Sequence, residues 1–443
     1  MTHLIDTFTS VLHQSALKPR RLLVAFSGGV DSRVLLELAV QYAQVYDIEC
    51  CAVHVHHGLS KNADRWAEQC QAWCDALSVS LMIERVSLDI NSGESIEKLA
   101  RDARYQAFEK HIEQGDVLVT GQHIDDQVET FLLALKRGSG PKGLSSMAKV
   151  MPFADAYIVR PMLSVTRSDI EASARDMALT WVEDESNQDV RFDRNFIRHQ
   201  VTPVLTERWP SFQESVSRSA QLCAEQELLL DELLESHLQQ ALGDSDSLCI
   251  EALSQHSDLL RSRLLRMWLS HCNQPMPSQK QLKLIWNEVA CAQADANPKL
   301  VLNDVEVRRF DNQLYIVKET KDMSNWKCDI SIGESIVLPD GLGDLYLKAS
   351  SNCVAKSGYS QSFSLSSVKD AMRITFNSEG LSAHPIGRGH SRKLKKLFQE
   401  YQVPSWLRRR TPILMDGDRV IAVLGLFVDK NYEGQDCEAL WSK

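Results

Sequence analysis

The chain has 443 residues, of which 44% are hydrophobic and 24% are charged, and its formal net charge is −10. This length predicts about two to four domains, and the composition excludes a disordered or collagen-like chain. An acidic total is unusual for a nucleic-acid binder, although one domain can still carry a basic surface. Residues 1–20 lack the apolar core of a signal peptide and no apolar run is long enough to cross a membrane, so we expect a cytoplasmic protein without membrane contact.

The cysteines do not follow a metal or disulfide pattern. The chain has 11 of them and no Cys-x-x-Cys pair, and Cys70 and Cys74 are one helical turn apart. Reduced, scattered thiols are therefore expected, without a zinc site or a disulfide framework.

Helical and strand patterns alternate through the first part of the chain. Apolar residues at helical spacing predict a helix within residues 1–17. Buried strands are predicted at 22–26, 48–55, 80–86 and 117–120, with a helix at about 63–77. This alternation predicts an α/β fold with a doubly wound, Rossmann-like parallel sheet, in which the ligand lies at the carboxyl ends of the strands.

A glycine turn joins the first strand to the next helix. It reads Ser27-Gly28-Gly29-Val30-Asp31-Ser32. The glycines allow a positive φ and a close backbone approach, and the amides, the two hydroxyls and the helix N-terminus favour a phosphate. The alternative is a plain turn in which Ser32 caps the helix. Neither the lysine-bearing Walker motif nor the dinucleotide-binding glycine pattern occurs in the chain.

Two further segments are placed to line the same crevice. His54 and His56 share one face of the second strand, where hydrogen bonding at a nucleotide site is favoured over metal ligation. Glu97, Arg101 and Arg104 share a helix face, for which a solvated set of ion pairs is an equally good interpretation.

Acidic residues follow the fourth strand. Asp126 and Glu129 are spaced i, i+3, so both carboxylates can point the same way from the first turn of a helix, just after His123. Acidic residues at this place also suit the helix dipole, which is the alternative explanation.

A basic stripe is predicted near residue 195. Arg191, Arg194 and Arg198 are spaced i, i+3 and i+7, which would place them on one helix face. Contact with a phosphate or nucleotide is favoured over a merely exposed stripe, because the apolar residues of the segment occupy other faces.

Composition changes along the rest of the chain predict further domains. Pro203 and Trp209-Pro210 mark a boundary, after which helical patterns dominate. We expect a catalytic domain at 1–212, a mainly helical domain at 213–318, a linker with some β structure at 319–369 and a small basic α+β domain at 370–443.

The last of these domains carries the clearest nucleic-acid signal. Between residues 388 and 410 there are eight lysines and arginines against Glu400 alone, with Tyr401 and Trp406 interleaved. A solvated helix balanced by carboxylates elsewhere is the alternative. The candidate nucleic-acid contacts are Lys395, Lys396, Arg408 and Arg409, together with Arg191.

The hexapeptide at 27–32 resembles the PP-loop of the N-type ATP pyrophosphatases, which split ATP into AMP and pyrophosphate. A larger set of motifs, in this order, resembles the tRNA(Ile)-lysidine synthetase family. The set comprises Ser27–Ser32, His56-His57-Gly58-Leu59, Glu97 with Ala100-Arg101 and Arg104-Tyr105, His123 with Asp125-Asp126 and Glu129-Thr130, Arg137-Gly138-Ser139-Gly140, and Asp184-Glu185-Ser186-Asn187 with Arg194-Asn195 and Arg198. The related 2-thiocytidine enzymes have cluster cysteines that this chain lacks.

The resemblance implies an ATP-dependent ligase that attaches L-lysine to C2 of the wobble cytidine in the CAU anticodon of tRNA(Ile), through an adenylated intermediate, and changes decoding from AUG to AUA. It implies that residues 27–32, with His54, Arg101 and His123, bind ATP, and that Asp31 holds Mg²⁺. The catalytic candidates are Asp31, Asp126, Glu129, Arg194 and Arg198. Another PP-loop enzyme that modifies tRNA, such as one that thiolates cytidine, and a non-catalytic tRNA-binding protein are the alternatives, and the sequence allows a homodimer.

Overall fold

The computed structural model describes residues 2–15, 17–89, 93, 95–293, 296–349 and 359–442. The chain forms two compact units, Met1–Glu232 and Leu233–Lys443. Among the described residues, no helix is both long and apolar enough to span a membrane.

The first unit is built on a six-stranded sheet. Its strands are β1 (Arg21–Ala25), β2 (Glu49–His56), β3 (Ser80–Arg85), β4 (Asp116–Val119), β5 (Val150–Phe153) and β6 (Ala156–Val159). They lie in the order β3-β2-β1-β4-β6-β5, and all pairs are parallel except β5 with β6. The predicted doubly wound α/β sheet is therefore confirmed. The chain leaves β1 toward β2 and returns on the other side at β4, so the crevice for a ligand opens at the carboxyl ends of these two strands.

Helices cover both faces of this sheet. They are α1 (Thr2–Gln14), α2 (Val30–Tyr46), α3 (Ala63–Ala76), α4 (Ile96–Glu109), α5 (Ile124–Lys136), α6 (Pro141–Leu144), α7 (Arg167–Asp176), α8 (Asp193–Phe196), α9 (Thr202–Arg208) and α10 (Phe212–Ala241), with a 3-10 turn at Glu185–Gln188 and a π turn at Ile197–Val201. Leu22 and Val24 of β1 pack on one side with α1 and α2, whereas Leu23 packs on the other with Phe108. This alternation follows from the two-residue period of a strand.

The second unit begins with helices on a small antiparallel sheet. The helices are α11 (Ile250–Ser254), α12 (Asp258–His271) and α13 (Gln279–Leu284), preceded by a 3-10 turn at Asp244–Asp246 and followed by a π turn at Ile285–Ala290. The strands are β7 (Leu248–Cys249), β8 (Lys299–Leu302), β9 (Val305–Phe310) and β10 (Gln313–Lys318), in the order β7-β10-β9-β8. The fully buried Trp268 lies in the core of this part.

The remaining strands form three antiparallel sheets. They are β11 (Lys327–Asp329), β12 (Ser335–Val337), β13 (Asp344–Ala349), β14 (Tyr359–Phe363), β15 (Met372–Thr375), β16 (Ser382–Ala383), β17 (Arg392–Lys393), β18 (Ile413–Asp416), β19 (Arg419–Val423), β20 (Phe427–Val428) and β21 (Cys437–Ser442). Helices α14 (Leu394–Glu400) and α15 (Ser405–Arg408) and 3-10 turns at Leu365–Ser367 and Lys430–Tyr432 complete the part. The sheet orders are β11-β15-β18-β19-β20, β12-β13-β21-β14 and β16-β17.

The segment 319–369 was expected to be a linker with some β structure, and its residues 350–358 lie outside the described part of the chain. Its strands β13 and β14 both pair with β21, and β11 pairs with β15. Leu345 and Phe363 share a core with Ile374 and Trp441. The segment therefore folds together with residues 370–443.

Candidate active site and nucleic-acid interface

The turn after β1 has the conformation that its glycines permit. Gly28 has a φ of +87° and α2 begins directly after Gly29. The Ser27 and Ser32 hydroxyls are 3.1 Å apart, and the Gly28 amide donates to Ser32 Oγ at 3.1 Å. The hydroxyls thus hold the turn in shape, with Val30 starting the helix. Amide groups and a helix N-terminus in this arrangement suit a phosphate group.

The back of the turn is tightly packed. A Cβ on residue 28 would lie 2.8 Å from Cys70 Sγ. The Val182 amide donates a hydrogen bond of 2.9 Å to the Gly28 carbonyl and holds the turn from the other side. A side chain at position 28 therefore meets both an unfavourable φ and a steric clash.

Changing Gly28 to alanine is expected to lower the free energy of unfolding by about 1–3 kcal/mol and to weaken ATP binding, because the turn must shift. Gly115→Ala is a matched control, since Gly115 also has a φ of +87° but its Cβ would have no neighbour closer than 3.8 Å. Urea unfolding and calorimetric ATP titration of both variants check this. Equal stability and equal ATP affinity in the two variants would show that the packing against Cys70 is unimportant.

Asp31 lies between the side chains of Arg167 and His123. Its Oδ2 accepts a hydrogen bond of 2.5 Å from Arg167 Nη1, and its Oδ1 is 3.7 Å from His123 Nε2. Burial raises the pKa of Asp31, and His123 and Arg167 oppose that shift. Asp31 Oδ1 is buried without a hydrogen-bond partner. An unpartnered carboxylate oxygen of this kind fits a hard cation such as Mg²⁺, which Asp31 would hold.

His123 lies at the start of α5 among three carboxylates. It is 2% exposed, and its ring nitrogens are 3.2 Å from Asp125 Oδ2 and 3.4 Å from Asp126 Oδ2. Burial disfavours its charged form, but Asp126, Asp125 and Asp31 outweigh burial and raise the pKa of His123. The backbone N–H of His123 donates to Asp126 Oδ2 at 3.0 Å, which fixes that carboxylate at the helix start.

Glu129 is the buried centre of an arginine network. Its carboxylate accepts a hydrogen bond of 2.6 Å from Arg198 Nε and lies 3.1 Å from Arg194 Nε, while the residue is only 1% exposed. Arg198 Nη2 is also 3.4 Å from Asp126 Oδ1. The two carboxylates therefore point the same way, as their spacing predicts. Burial raises the pKa of Glu129 against the opposing effect of Arg198. Burial disfavours the charged form of Arg198, but Glu129, Asp126 and Asp31 together outweigh it and raise the pKa of Arg198.

Arg191 does not share a helix face with the other two arginines, so that prediction was wrong. The helix begins only at Asp193, and Arg191 lies in the preceding turn with its Nη2 2.6 Å from Asp189 Oδ2. Its backbone N–H also donates to Asp189 Oδ1, at 3.1 Å. The carboxylate two residues earlier stabilises a turn here instead of a helix. The Arg191 side chain is 87% exposed.

The other predicted nucleotide contacts lie at the edges of this cluster. His54 is buried, its Nδ1 is 2.9 Å from the Phe26 carbonyl, and burial lowers its pKa. His54 thus supports the end of β1 just before the turn. Arg101 is exposed on α4, with its guanidinium 5.2 Å from the centre of the Tyr105 ring.

Sequence reasoning missed Arg167 and named Asp125 only as part of a motif, without a role. Arg167 is the first residue of α7, where the helix dipole disfavours a cation, so its place was a signal that another group binds it. Asp125 accepts a hydrogen bond from the Arg167 backbone N–H at 2.9 Å. Burial would raise the pKa of Asp125, but contacts with His123, the Arg167 amide and Gln213 lower it to about 2.

The basic segment near the C-terminus divides into paired and unpaired groups. All five of its arginines bind within the fold: Arg388 and Arg392 pair with Glu400, Arg409 pairs with Glu379, Arg410 pairs with Asp340, and Arg408 Nε donates to the Val403 carbonyl. Lys393, Lys395 and Lys396 are exposed, and within the described residues they have no such partner. These three lysines, on β17 and α14, form a surface that we call the lysine patch.

The comparisons with known proteins cover every part of this architecture. A PP-loop domain model matches residues 2–205, a TilS substrate binding domain matches 248–315, and a TilS substrate C-terminal domain matches 372–442. The tRNA(Ile)-lysidine synthase of Vibrio atlanticus (strain LGP32) is 80% identical over 456 aligned positions, which cover 100% of both chains. That of Vibrio vulnificus (strain CMCP6) is 58% identical over 443 positions, again 100% of both. That of Photobacterium profundum is 49% identical over 422 positions, 95% of each chain. The chain therefore belongs to the tRNA(Ile)-lysidine synthase family.

Proposed function

We propose that the protein joins the ε-amino group of L-lysine to C2 of the first anticodon nucleotide, a cytidine, in the tRNA(Ile) with a CAU anticodon. ATP is converted to AMP and pyrophosphate, and the modified tRNA reads AUA instead of AUG. The observation that carries the proposal is the 80% identity over the full length of both chains with a tRNA(Ile)-lysidine synthase.

The need for ATP follows from the chemistry of the base. The C2 oxygen of cytidine is a poor leaving group, so it first attacks the α-phosphorus of ATP and releases pyrophosphate. The lysine amine then attacks C2, AMP leaves with that oxygen, and the amine loses a proton. The turn at 27–32 would hold the phosphates through its amides and the hydroxyls of Ser27 and Ser32.

Asp31 is the residue that would hold Mg²⁺. Its buried Oδ1 lacks a hydrogen-bond partner, which is the property expected of an oxygen that binds a hard cation. When bound, Mg²⁺ supplies positive charge to the phosphates. Arg167 on the other oxygen holds the Asp31 carboxylate in place.

The second step requires a neutral amine. The ε-amine of free lysine has a pKa of about 10.4, so only about one molecule in 2,500 is neutral at pH 7, a cost of about 4.6 kcal/mol. A carboxylate that holds the ammonium and then accepts its proton lowers this cost. Asp126 is our candidate for this role, because its side chain is 16% exposed, whereas Glu129 is 1% exposed and lies within 3.1 Å of both Arg194 and Arg198. The two arginines, held by Glu129, would offset charge that develops on the adenylate or fix the base.

The lysine patch is our candidate for contact with the tRNA backbone. Changing Lys395 and Lys396 to alanine should weaken tRNA binding and lower the slope of log affinity against log salt by about 2, because each lysine neutralises one phosphate. Arg409→Ala should change the slope less, since Arg409 Nη2 is already 3.0 Å from Glu379 Oε1. Filter binding at several salt concentrations measures both slopes. A slope unchanged in the lysine variant would reject the contact.

The proposed substrate has a consequence for the cellular location of the protein, but it does not determine the oligomeric state. Because the proposed substrate is a tRNA, we infer that the protein works in the cytoplasm. The homodimer allowed by the sequence stays a prediction, which the mass in solution would test.

A filter assay tests the proposed reaction directly. Labelled lysine should enter tRNA(Ile) with a CAU anticodon only when ATP is present, and digestion of the tRNA should give one nucleoside heavier than cytidine by a lysine less one water. A sulfur donor that replaces lysine would instead indicate a thiolating enzyme. Binding of tRNA with no incorporation would indicate a binding protein without this activity.

A further inference from the structure

Asp125 contacts both residues that face Asp31, namely Arg167 and His123. Its Oδ2 accepts the 2.9 Å hydrogen bond from the Arg167 backbone N–H and is 3.2 Å from His123 Nδ1. The Arg167 guanidinium and the other ring nitrogen of His123 face the two oxygens of Asp31, at 2.5 and 3.7 Å. One carboxylate thus accepts a hydrogen bond from the Arg167 backbone and lies within ion-pair distance of the His123 ring.

The remaining oxygen of Asp125 has a partner far along the chain. Gln213 Nε2 donates a hydrogen bond of 2.6 Å to Asp125 Oδ1, across 88 positions of sequence. Gln213 is the second residue of α10, the 30-residue helix Phe212–Ala241. Val216 and Ala220, 7% and 1% exposed, follow at i+3 and i+7 and pack the same face of the helix inward. The start of α10 is therefore fixed to the cluster by one charge-assisted bond, and the buried residues that follow lie on the same face of the helix.

Gln213, the partner of Asp125, lies on the helix that connects the two units of the chain. Helix α10 begins in the first unit and crosses the boundary at residues 232 and 233 into the second. It is the covalent connection from the candidate active site to the domains that match the substrate-binding models. The Asp125–Gln213 bond lies where this connection meets the cluster.

We propose that Asp125 and Gln213 are positioning residues for the adenylation step, because their hydrogen bond fixes the start of α10 to the start of α7 and so holds Arg167 on Asp31. The inference rests on the function proposed above, since it concerns the step in which ATP is attacked. Neither residue is required to touch ATP, lysine or the tRNA. They act through Arg167 and Asp31, in the way that outer hydrogen bonds orient the groups that bind a ligand.

The test uses the full chain and a hydrogen-bond swap. Q213A removes the donor, and its kcat for tRNA-dependent pyrophosphate release should fall about tenfold, with the KM values for ATP and tRNA unchanged and the protein folded at the assay temperature. D125N and Q213E should each show a loss of at least that size. The D125N/Q213E protein exchanges the amide and the carboxylate across the same contact, so its rate should return to within about threefold of wild type.

A matched control comes from the same helix. Gln221 also donates to a carboxylate, Glu225 Oε1 at 2.8 Å, but this pair is exposed on α10. Q221A should therefore keep the wild-type rate. If it lost activity to the same extent, the effect would be one of helix stability and the proposal would be overturned.

Two results would overturn the inference while leaving the proposed function intact. One is a wild-type kcat in Q213A, and the other is a swap variant no more active than the single variants. If the variants at position 125 fail to fold, the comparison of the rates of Q213A and Q221A is sufficient to test the inference. Absence of lysine incorporation and pyrophosphate release in the wild-type chain would instead overturn the proposed function, and this inference with it.

Discussion

Replacing Asp126 by asparagine is expected to lower the rate of lysine incorporation by about 100-fold or more while tRNA affinity stays at the wild-type value. Asparagine keeps the shape of the side chain and can still accept the hydrogen bond from the His123 N–H, which is 3.0 Å long in the native protein. What it loses is the charge that would hold the lysine ammonium and accept its proton. Single-turnover incorporation of labelled lysine, with tRNA binding measured in parallel, checks both parts.

Asp102→Asn is the control for this variant, because Asp102 is an exposed acid on α4. Its incorporation rate should equal that of the wild type. Near-normal turnover in D126N would show that Asp126 does not take part in the reaction. Loss of tRNA binding in D126N would mean that the charge acts in assembly of the complex and not on lysine.

Replacing Arg198 by alanine is expected to have the second large effect. Arg198 binds Glu129 at 2.6 Å and lies 3.4 Å from Asp126, so its removal leaves the 1% exposed Glu129 with Arg194 alone. Removing a preorganised cation of this kind costs about 3 kcal/mol in the barrier, and removing one partner of a buried pair costs stability as well. The rate of pyrophosphate release and the unfolding midpoint should therefore both fall.

Arg198→Lys separates the two effects. Lysine retains the charge but does not have the planar fork that reaches both carboxylates, so stability should recover more than the rate. An alanine variant that loses stability but keeps its rate per folded molecule would show that Arg198 only serves the fold.

The parts of the site that the sequence predicted are those with strong local signals. The turn at 27–32 combines a strand, two glycines and a helix start, and Gly28 has the positive φ that glycine makes accessible. Asp126 and Glu129 share a face because three residues are close to one helical turn. The parallel sheet could be predicted because its strands are short apolar runs between helical patterns.

The parts that could not be predicted depend on contacts between distant residues. Arg167 and Asp31 are 136 positions apart, and Asp125 and Gln213 are 88 apart, so no local pattern connects them. Arg191 was assigned to a helix because spacing alone does not show that Asp189 stabilises a turn before Asp193. The strands within 319–349 have only 3–6 residues each, which is too short for a period to be reliable.

Multiple-turnover release of pyrophosphate is the most direct measurement of the central claim, that the turn at 27–32 and the neighbouring cluster drive an ATP-dependent ligation of lysine to tRNA. Sustained release is expected only when ATP, tRNA(Ile) with the CAU anticodon and L-lysine are all present. Sustained release without lysine or without the tRNA, or none with all three, would contradict the account.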